Sequence, residues 1–144
     1  MNQVRPRVPS EILKRGYTDD EIANIYELGR LFLENGDLRR GETIMLGLLE
    51  IMGEYSPAWL AMSYIHFANK ATESAVNAAQ NALKHDPESV EAMLALVAGL
   101  LTLGDFNSAG TYLGEVGEKL DAGLSDDPRV VRFYKAMLAR YQNR

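Results

Sequence analysis

Cysteine is absent from this chain of 144 residues, and histidine occurs only as His66 and His85. The missing thiols exclude disulfide scaffolds, thiolate zinc sites, iron–sulfur clusters and cysteine nucleophiles. Two isolated histidines offer little for a metal site or a catalytic triad, and the sequence contains no glycine-rich phosphate-binding motif and no serine-hydrolase motif. We therefore expect a protein that is not an enzyme and that has no metal and no cofactor.

Long hydrophobic runs are also missing. No apolar stretch approaches the ~18 residues of a membrane span, and the first ten residues lack the hydrophobic core of a signal peptide. The sequence therefore predicts no membrane insertion and a cytoplasmic location. Apolar residues nevertheless make up 47% of the chain, which is enough to form the core of one domain.

Charge is distributed unevenly along the chain. Residues 1–15 contain four basic side chains and one acidic one, and residues 128–144 contain five basic side chains and no acidic one. The intervening residues hold six basic side chains against nineteen acidic ones. Because an acidic body repels phosphate, we expect no nucleic-acid partner. A weaker alternative is an adaptor that contacts nucleic acid or an anionic membrane through the basic C-terminal segment.

An internal repeat is the strongest signal in the sequence. Segments 22–55, 56–89 and 90–123 align without a gap at a spacing of 34 residues. Turn signals fall in the same register, because Asn35-Gly36-Asp37 corresponds to Leu103-Gly104-Asp105. Positions that align across the three segments are Ile25, Trp59 and Met93; Leu28, Met62 and Leu96; Phe32, His66 and Leu100; and Met45, Ala79 and Leu113.

Each segment is predicted to form two helices joined by a turn. Apolar residues in the first half recur at steps of three and four, which is one face of an α-helix. The second half begins with Gly41, Ala75 or Ala109, whose small side chains would let the two helices approach closely. Thr18 and Glu21 form a capping box before the first helix.

The spacing and residues resemble the tetratricopeptide repeat, with its pattern W-x2-L-G-x2-Y…A-x3-F…P. The segment that matches best is the middle one, with Trp59, Met62, Ser63, His66, Ala75, Ala79, Ala82 and Pro87. The resemblance implies an all-α fold in which three helix pairs form a right-handed superhelix, with a short leading helix and a closing C-terminal helix.

The same resemblance divides the chain into three parts. Residues 1–17 form an N-terminal arm with a short helix around Ile12 and Leu13, residues 18–123 hold the three repeats, and residues 124–144 hold the closing helix. The closing helix is expected to start at Asp126 or Asp127 and to cover the last pair. Its predicted apolar face consists of Val130, Phe133, Tyr134, Met137 and Tyr141.

In this fold the first helix of each pair lines a concave face, which would form the binding site. The residues expected to contact a partner there are Tyr26, Arg30, Leu33, Leu60, Tyr64, Phe67, Leu94, Ala98 and Leu101. Most of them are apolar, and exposed apolar patches usually mark partner sites. Alternatively, these residues pack on the N-terminal segment, on the closing helix or across a dimer.

The first half of the chain resembles more narrowly the class II chaperones of bacterial type III secretion. The matching residues are Ile25-Tyr26-x-Leu28-Gly29, Asn35-Gly36-Asp37 and Tyr55-Ser56-Pro57-Ala58-Trp59-Leu60. This resemblance implies a non-catalytic cytoplasmic chaperone that grips an extended apolar segment of a secreted translocator in its concave groove. It also implies a homodimer formed through the N-terminal segment, with Val4, Val8, Ile12 and Leu13 as candidate contacts.

Two other functions remain open from the sequence. The chain is alternatively a chaperone of another small secretion component, or a scaffold subunit in the assembly of a pilus or envelope complex. Binding of an acidic heat-shock chaperone tail is disfavoured, because Arg30 is the one basic residue expected on the concave face and a doubly charged tail needs a cluster of donors.

Overall fold

The computed structural model describes residues 16–144, and its regular structure in this range is entirely helical. The helices are α1 (Asp19–Glu34), α2 (Leu38–Ile51), α3 (Ser56–Ala68), α4 (Thr72–His85), α5 (Val90–Leu103), α6 (Phe106–Asp121) and α7 (Pro128–Gln142). Within this part of the chain no helix is long and apolar enough to cross a membrane.

The helices pack as three consecutive pairs and a closing helix. The pairs are α1 with α2, α3 with α4, and α5 with α6, while α7 packs against both helices of the last pair. The predicted all-α fold of three helix pairs with a closing helix is thus confirmed. The leading helix predicted at Ile12 and Leu13, and the N-terminal dimer contacts, lie outside the described residues.

Local sequence signals explain where the helices begin and end. Thr18 and Glu21 form the predicted capping box, in which the Thr18 hydroxyl accepts from the Glu21 amide and the Glu21 carboxylate accepts from the Thr18 amide. Asp127 caps α7 by accepting from the amide of Arg129. Helix α4 ends at His85, two residues before Pro87, because proline cannot continue a helix.

Small residues bring the two helices of each pair into close contact. Ala75 and Ala109 have no exposed surface. A Cβ atom added to Gly41 would lie 2.2 Å from Cδ2 of Leu33 in the preceding helix, so the alanine-sized side chain found in the other pairs does not fit here without movement of Leu33. The expected role of these three positions is confirmed.

Two hydrophobic clusters form the core. The first is formed by residues of the four helices α1, α2, α3 and α4 and includes Met45, Leu48 and Ile65. The second centres on α5. Ten of the 14 residues of α5 are buried, because α4, α6 and α7 all pack against it. The predicted apolar face of α7 packs on this second cluster through Val130, Phe133, Tyr134, Met137 and Tyr141.

The turn inside the middle pair is strained at one residue. Lys70 has φ +61°, and the equivalent positions in the other two pairs are Gly36 at φ +82° and Gly104 at φ +85°. Left-handed backbone is easily adopted by glycine, whereas a residue with a side chain incurs a steric penalty of ~1–2 kcal/mol.

We therefore predict that Lys70→Gly stabilises the protein. The unfolding free energy should rise by ~0.5–1 kcal/mol, because relief of the strain exceeds the added chain entropy of glycine in the unfolded state. Urea denaturation of the wild type, Lys70→Gly and Lys70→Ala measures the change in unfolding free energy. Lys70→Ala, which keeps the strain, is the control, and equal stability of the two variants would contradict the prediction.

Candidate functional site

An open groove runs along the first helices of the pairs, between α1 and α3, and reaches the starts of α5 and α7. Its volume is about 670 Å³. We call it the first-helix groove. Its lining comprises apolar Leu33, Leu38, Leu60, Ala61 and Ile65, aromatic Tyr26 and Tyr64, and charged Glu27, Arg30, Glu34, Glu91 and Arg129.

Two tyrosines on facing helices form the walls of the groove. Tyr26 on α1 is half-buried and packs edge-on against Tyr55, with the ring centroids 5.8 Å apart. Tyr64 on α3 is 41% exposed, which is high for a large aromatic side chain. The contact with Tyr55 fixes the Tyr26 ring, and the exposed face of Tyr64 is available for another molecule.

The hydroxyl groups of both tyrosines are available as hydrogen-bond donors. Neither Tyr26 nor Tyr64 donates a side-chain hydrogen bond to another of the described residues. Burial within the groove raises the pKa of both phenols, and the carboxylate of Glu91 raises the pKa of Tyr64 further. A tyrosine hydroxyl is protonated at neutral pH even at its ordinary pKa, so both hydroxyls can donate to backbone carbonyl groups of a ligand.

Arg30 is neutralised by its own helix. Its Nε atom donates to Oε1 of Glu27 at 3.0 Å, and its Nη1 atom donates to Glu34 one turn later. These carboxylates raise the pKa of Arg30, match its charge and occupy two of its five N–H donors. The groove therefore offers little for a carboxylate-rich tail, in agreement with the sequence analysis.

Arg129 is the second basic residue of the groove, and it also pairs with a neighbour. Its Nη2 atom lies 3.2 Å from Oδ2 of Asp127, the residue that caps α7. The Arg129 guanidinium and the Arg129 amide together hold the pKa of the Asp127 carboxyl below its usual range. Glu91 differs from the other carboxylates of the groove, since it forms no ion pair within 4 Å in the described part of the chain.

The structure brings together five of the nine residues predicted for the site. Tyr26, Arg30, Leu33, Leu60 and Tyr64 all line the first-helix groove.

The prediction that Leu94 and Leu101 face an open groove is wrong. Leu94 has no exposed surface and Leu101 is 6% exposed, because both belong to the second hydrophobic cluster. This outcome agrees with the alternative that these residues pack on the closing helix, since both share the second hydrophobic cluster with residues of α7, and α7 lies against α5. Ala98, on the same helix, is half-buried and does not line the groove.

Phe67 also lies outside the groove. It is half-buried and packs against the second hydrophobic cluster. A Cβ atom added to Gly99 of α5 would lie 3.4 Å from Cζ of Phe67, so the ring covers the backbone of α5 at this glycine. Phe67 therefore joins the middle pair to the last pair and does not line the groove.

Seven lining residues were not among the contacts predicted from the sequence: Glu27, Glu34, Leu38, Ala61, Ile65, Glu91 and Arg129. Arg129 belongs to the closing helix, which follows a longer loop and falls out of the 34-residue register. The available signal was the similarity of Pro128 to Pro57, which makes α7 equivalent to the first helix of a further pair.

We predict that Phe67→Ala lowers the unfolding free energy by ~2–3 kcal/mol, because it leaves a cavity between α3 and α5. Tyr64→Ala, three residues earlier on the same helix, should lower it by ~1 kcal/mol or less, because much of that ring is already exposed. Thermal and urea denaturation compare the two variants. Equal losses would show that Tyr64 is as much a part of the core as Phe67.

Comparison with known proteins gives matches among solved structures alone. No family model matches the sequence, and no curated protein matches it. The type III secretion translocator chaperone SycD of Yersinia enterocolitica superimposes with a TM-score of 0.72 at 14% identity, over 90% of this chain and 92% of SycD. A structure of SycD in complex with a peptide of the translocator YopD gives 0.68 at 15% identity, over 85% and 96% of the two chains.

A third match extends the likeness beyond secretion proteins. The TPR2AB domain of yeast Sti1, in complex with a pHSP90 ligand, has a TM-score of 0.74 at 10% identity and covers 92% of this chain and 50% of the Sti1 chain. At such low identities the likenesses establish the fold. The chain therefore has a tetratricopeptide-repeat fold, and in that fold it resembles the class II translocator chaperones.

Proposed function

We propose that this protein is a non-catalytic chaperone of a bacterial type III secretion substrate and that it grips an extended apolar segment of that substrate in the first-helix groove. The observation that carries the proposal is the open groove itself, with an apolar floor and two tyrosines whose hydroxyls are unpartnered in the described chain. In this proposal the protein works in the cytoplasm, before export, and needs no cofactor.

An extended segment suits this groove better than a helix does. The groove is open on one side and is lined by side chains of α1 and α3 at several points along its length. Alternate side chains of an extended peptide point into such a groove while its backbone carbonyls face the walls. Leu33 and Leu60 would contact the inserted side chains, and Tyr26 and Tyr64 would donate hydrogen bonds to the carbonyls.

The comparisons support the choice of partner class. SycD is a translocator chaperone, its fold matches nearly the whole of this chain, and one of its structures contains a translocator peptide. We extend this type of partner to the present protein because the first-helix groove offers apolar contacts and free donors. Because Arg30 is already paired with Glu27 and Glu34, the first-helix groove is a poor site for an acidic tail.

The first experiment identifies the partner. Affinity capture with the full chain in its native cell, followed by mass spectrometry, should recover a secreted protein with exposed apolar segments. Recovery of pilus or envelope subunits instead would favour the scaffold function, and recovery of nucleic acid through the basic α7 would favour the adaptor function.

We predict that Tyr64→Ala weakens binding of the captured segment by ~2 kcal/mol, which is about 30-fold in Kd, because aromatic anchors at the centre of an interface contribute most of its affinity. Isothermal titration calorimetry with the purified segment measures the change. Thermal denaturation of the same variant confirms that its fold is intact.

The matched control is the double variant Arg132→Glu with Lys135→Glu on α7. Both residues are exposed and neither lines the groove, so Kd should change little and mainly at low salt. Loss of binding in the double variant, with Tyr64→Ala unaffected, would overturn the groove as the binding site.

A further inference from the structure

We infer that the first-helix groove selects extended segments in which a lysine or arginine accompanies the apolar anchors, and that Glu91 is the residue that pairs with this cation. The inference rests on the proposed function and names the chemistry of the segment. It differs from simple apolar gripping, because it makes the sign of one charge on the ligand a determinant of specificity.

Among the described residues, the ion pairs around the groove leave one carboxylate without a partner. Glu27 and Glu34 both pair with Arg30, and Asp127 pairs with Arg129. Glu91 has no ion pair within 4 Å in the described chain and is exposed. Arg129 lies near enough to Glu91 for that carboxylate to raise its pKa, but Arg129 is already paired with Asp127. With Glu91 and Asp127 against Arg129, this end of the groove has a net negative charge, which attracts a cationic ligand and repels an acidic one.

The surroundings of Glu91 fit a long cationic side chain. Glu91 lines the first-helix groove and also a smaller cleft of about 250 Å³ beside it. The exposed apolar side chain of Leu124 lines this side cleft. The cleft is also lined by Glu88 and Asp127, which are already paired with Lys119 and Arg129. A lysine or arginine can lay its aliphatic stem on apolar surface while its charged end reaches a carboxylate.

The position of Glu91 relates the cation to the rest of the segment. Glu91 lines the same groove as Tyr26 and Tyr64. A cation paired with Glu91 would therefore belong to the same bound segment that contacts the two tyrosines. Because these three residues have fixed positions, the groove would bind an apolar anchor and a basic residue at a constant spacing.

A displayed library of random 12-residue peptides tests the inference before the natural partner is identified. The full chain should enrich peptides that combine apolar residues with a lysine or arginine at constant spacing. Glu91→Gln should enrich apolar peptides without the basic residue. Glu73→Gln, which removes an exposed carboxylate of α4 outside the groove, is the matched control and should enrich the same peptides as the wild type.

Calorimetry on one enriched peptide then measures the size of the effect. Replacing its basic residue with glutamine should weaken binding to the wild type about fivefold, as expected for an exposed ion pair, and should leave binding to Glu91→Gln unchanged. The fivefold difference should shrink as salt rises from about 0.05 to about 0.5 M, because ions screen exposed charges.

The failure of this inference and the failure of the proposed function give different results. Enrichment of apolar peptides whose affinity is unaffected by the basic residue, or by Glu91→Gln, overturns the inference and leaves the groove as a peptide site. Enrichment of no peptide, or of peptides that bind Tyr64→Ala as well as the wild type, overturns the proposed function and the inference with it.

Discussion

The close approach of the two helices within each pair is the constraint on which the rest of the structure depends. Where Ala75 and Ala109 are fully buried, and where Gly41 has no room for a Cβ atom, the second helix lies directly against the first. The opposite side of each first helix is then free to face the next pair or the groove. Gly41 links this constraint to the groove. The space beside Gly41 is filled by the side chain of Leu33, and Leu33 also lines the groove.

The packing around α5 limits the length of the groove. Because α4, α6 and the closing helix α7 all pack against α5, its apolar side chains become core, and ten of its 14 residues are buried. The last pair therefore contributes Glu91 to the groove rather than Leu94 or Leu101. Covering an apolar face at the end of a repeat stack keeps that face from water. Here the same covering limits the apolar lining of the groove to α1, α3 and Leu38 of α2.

The sequence predicted what depends on local pattern and missed what depends on distant packing. Helix pairs, the Thr18 capping box and the small residues at pair contacts all follow from residues within one 34-residue period. The position of a residue within its repeat predicts the direction of its side chain. It does not predict whether a later helix covers that side chain. Leu94 and Leu101 were misassigned for that reason, and Arg129 was missed because the loop before α7 breaks the register.

Helix α3 carries a core residue and a groove residue within a single turn. Phe67 faces α5 and joins two pairs, whereas Tyr64, three residues earlier, faces the groove and leaves much of its ring exposed. Because Arg30 is held by two carboxylates of its own helix, our proposal assigns the affinity for a ligand mainly to apolar contacts and the tyrosine hydroxyls. Such contacts would tolerate many apolar sequences, and in our proposal the charge of Glu91, which lines the groove, discriminates among extended segments.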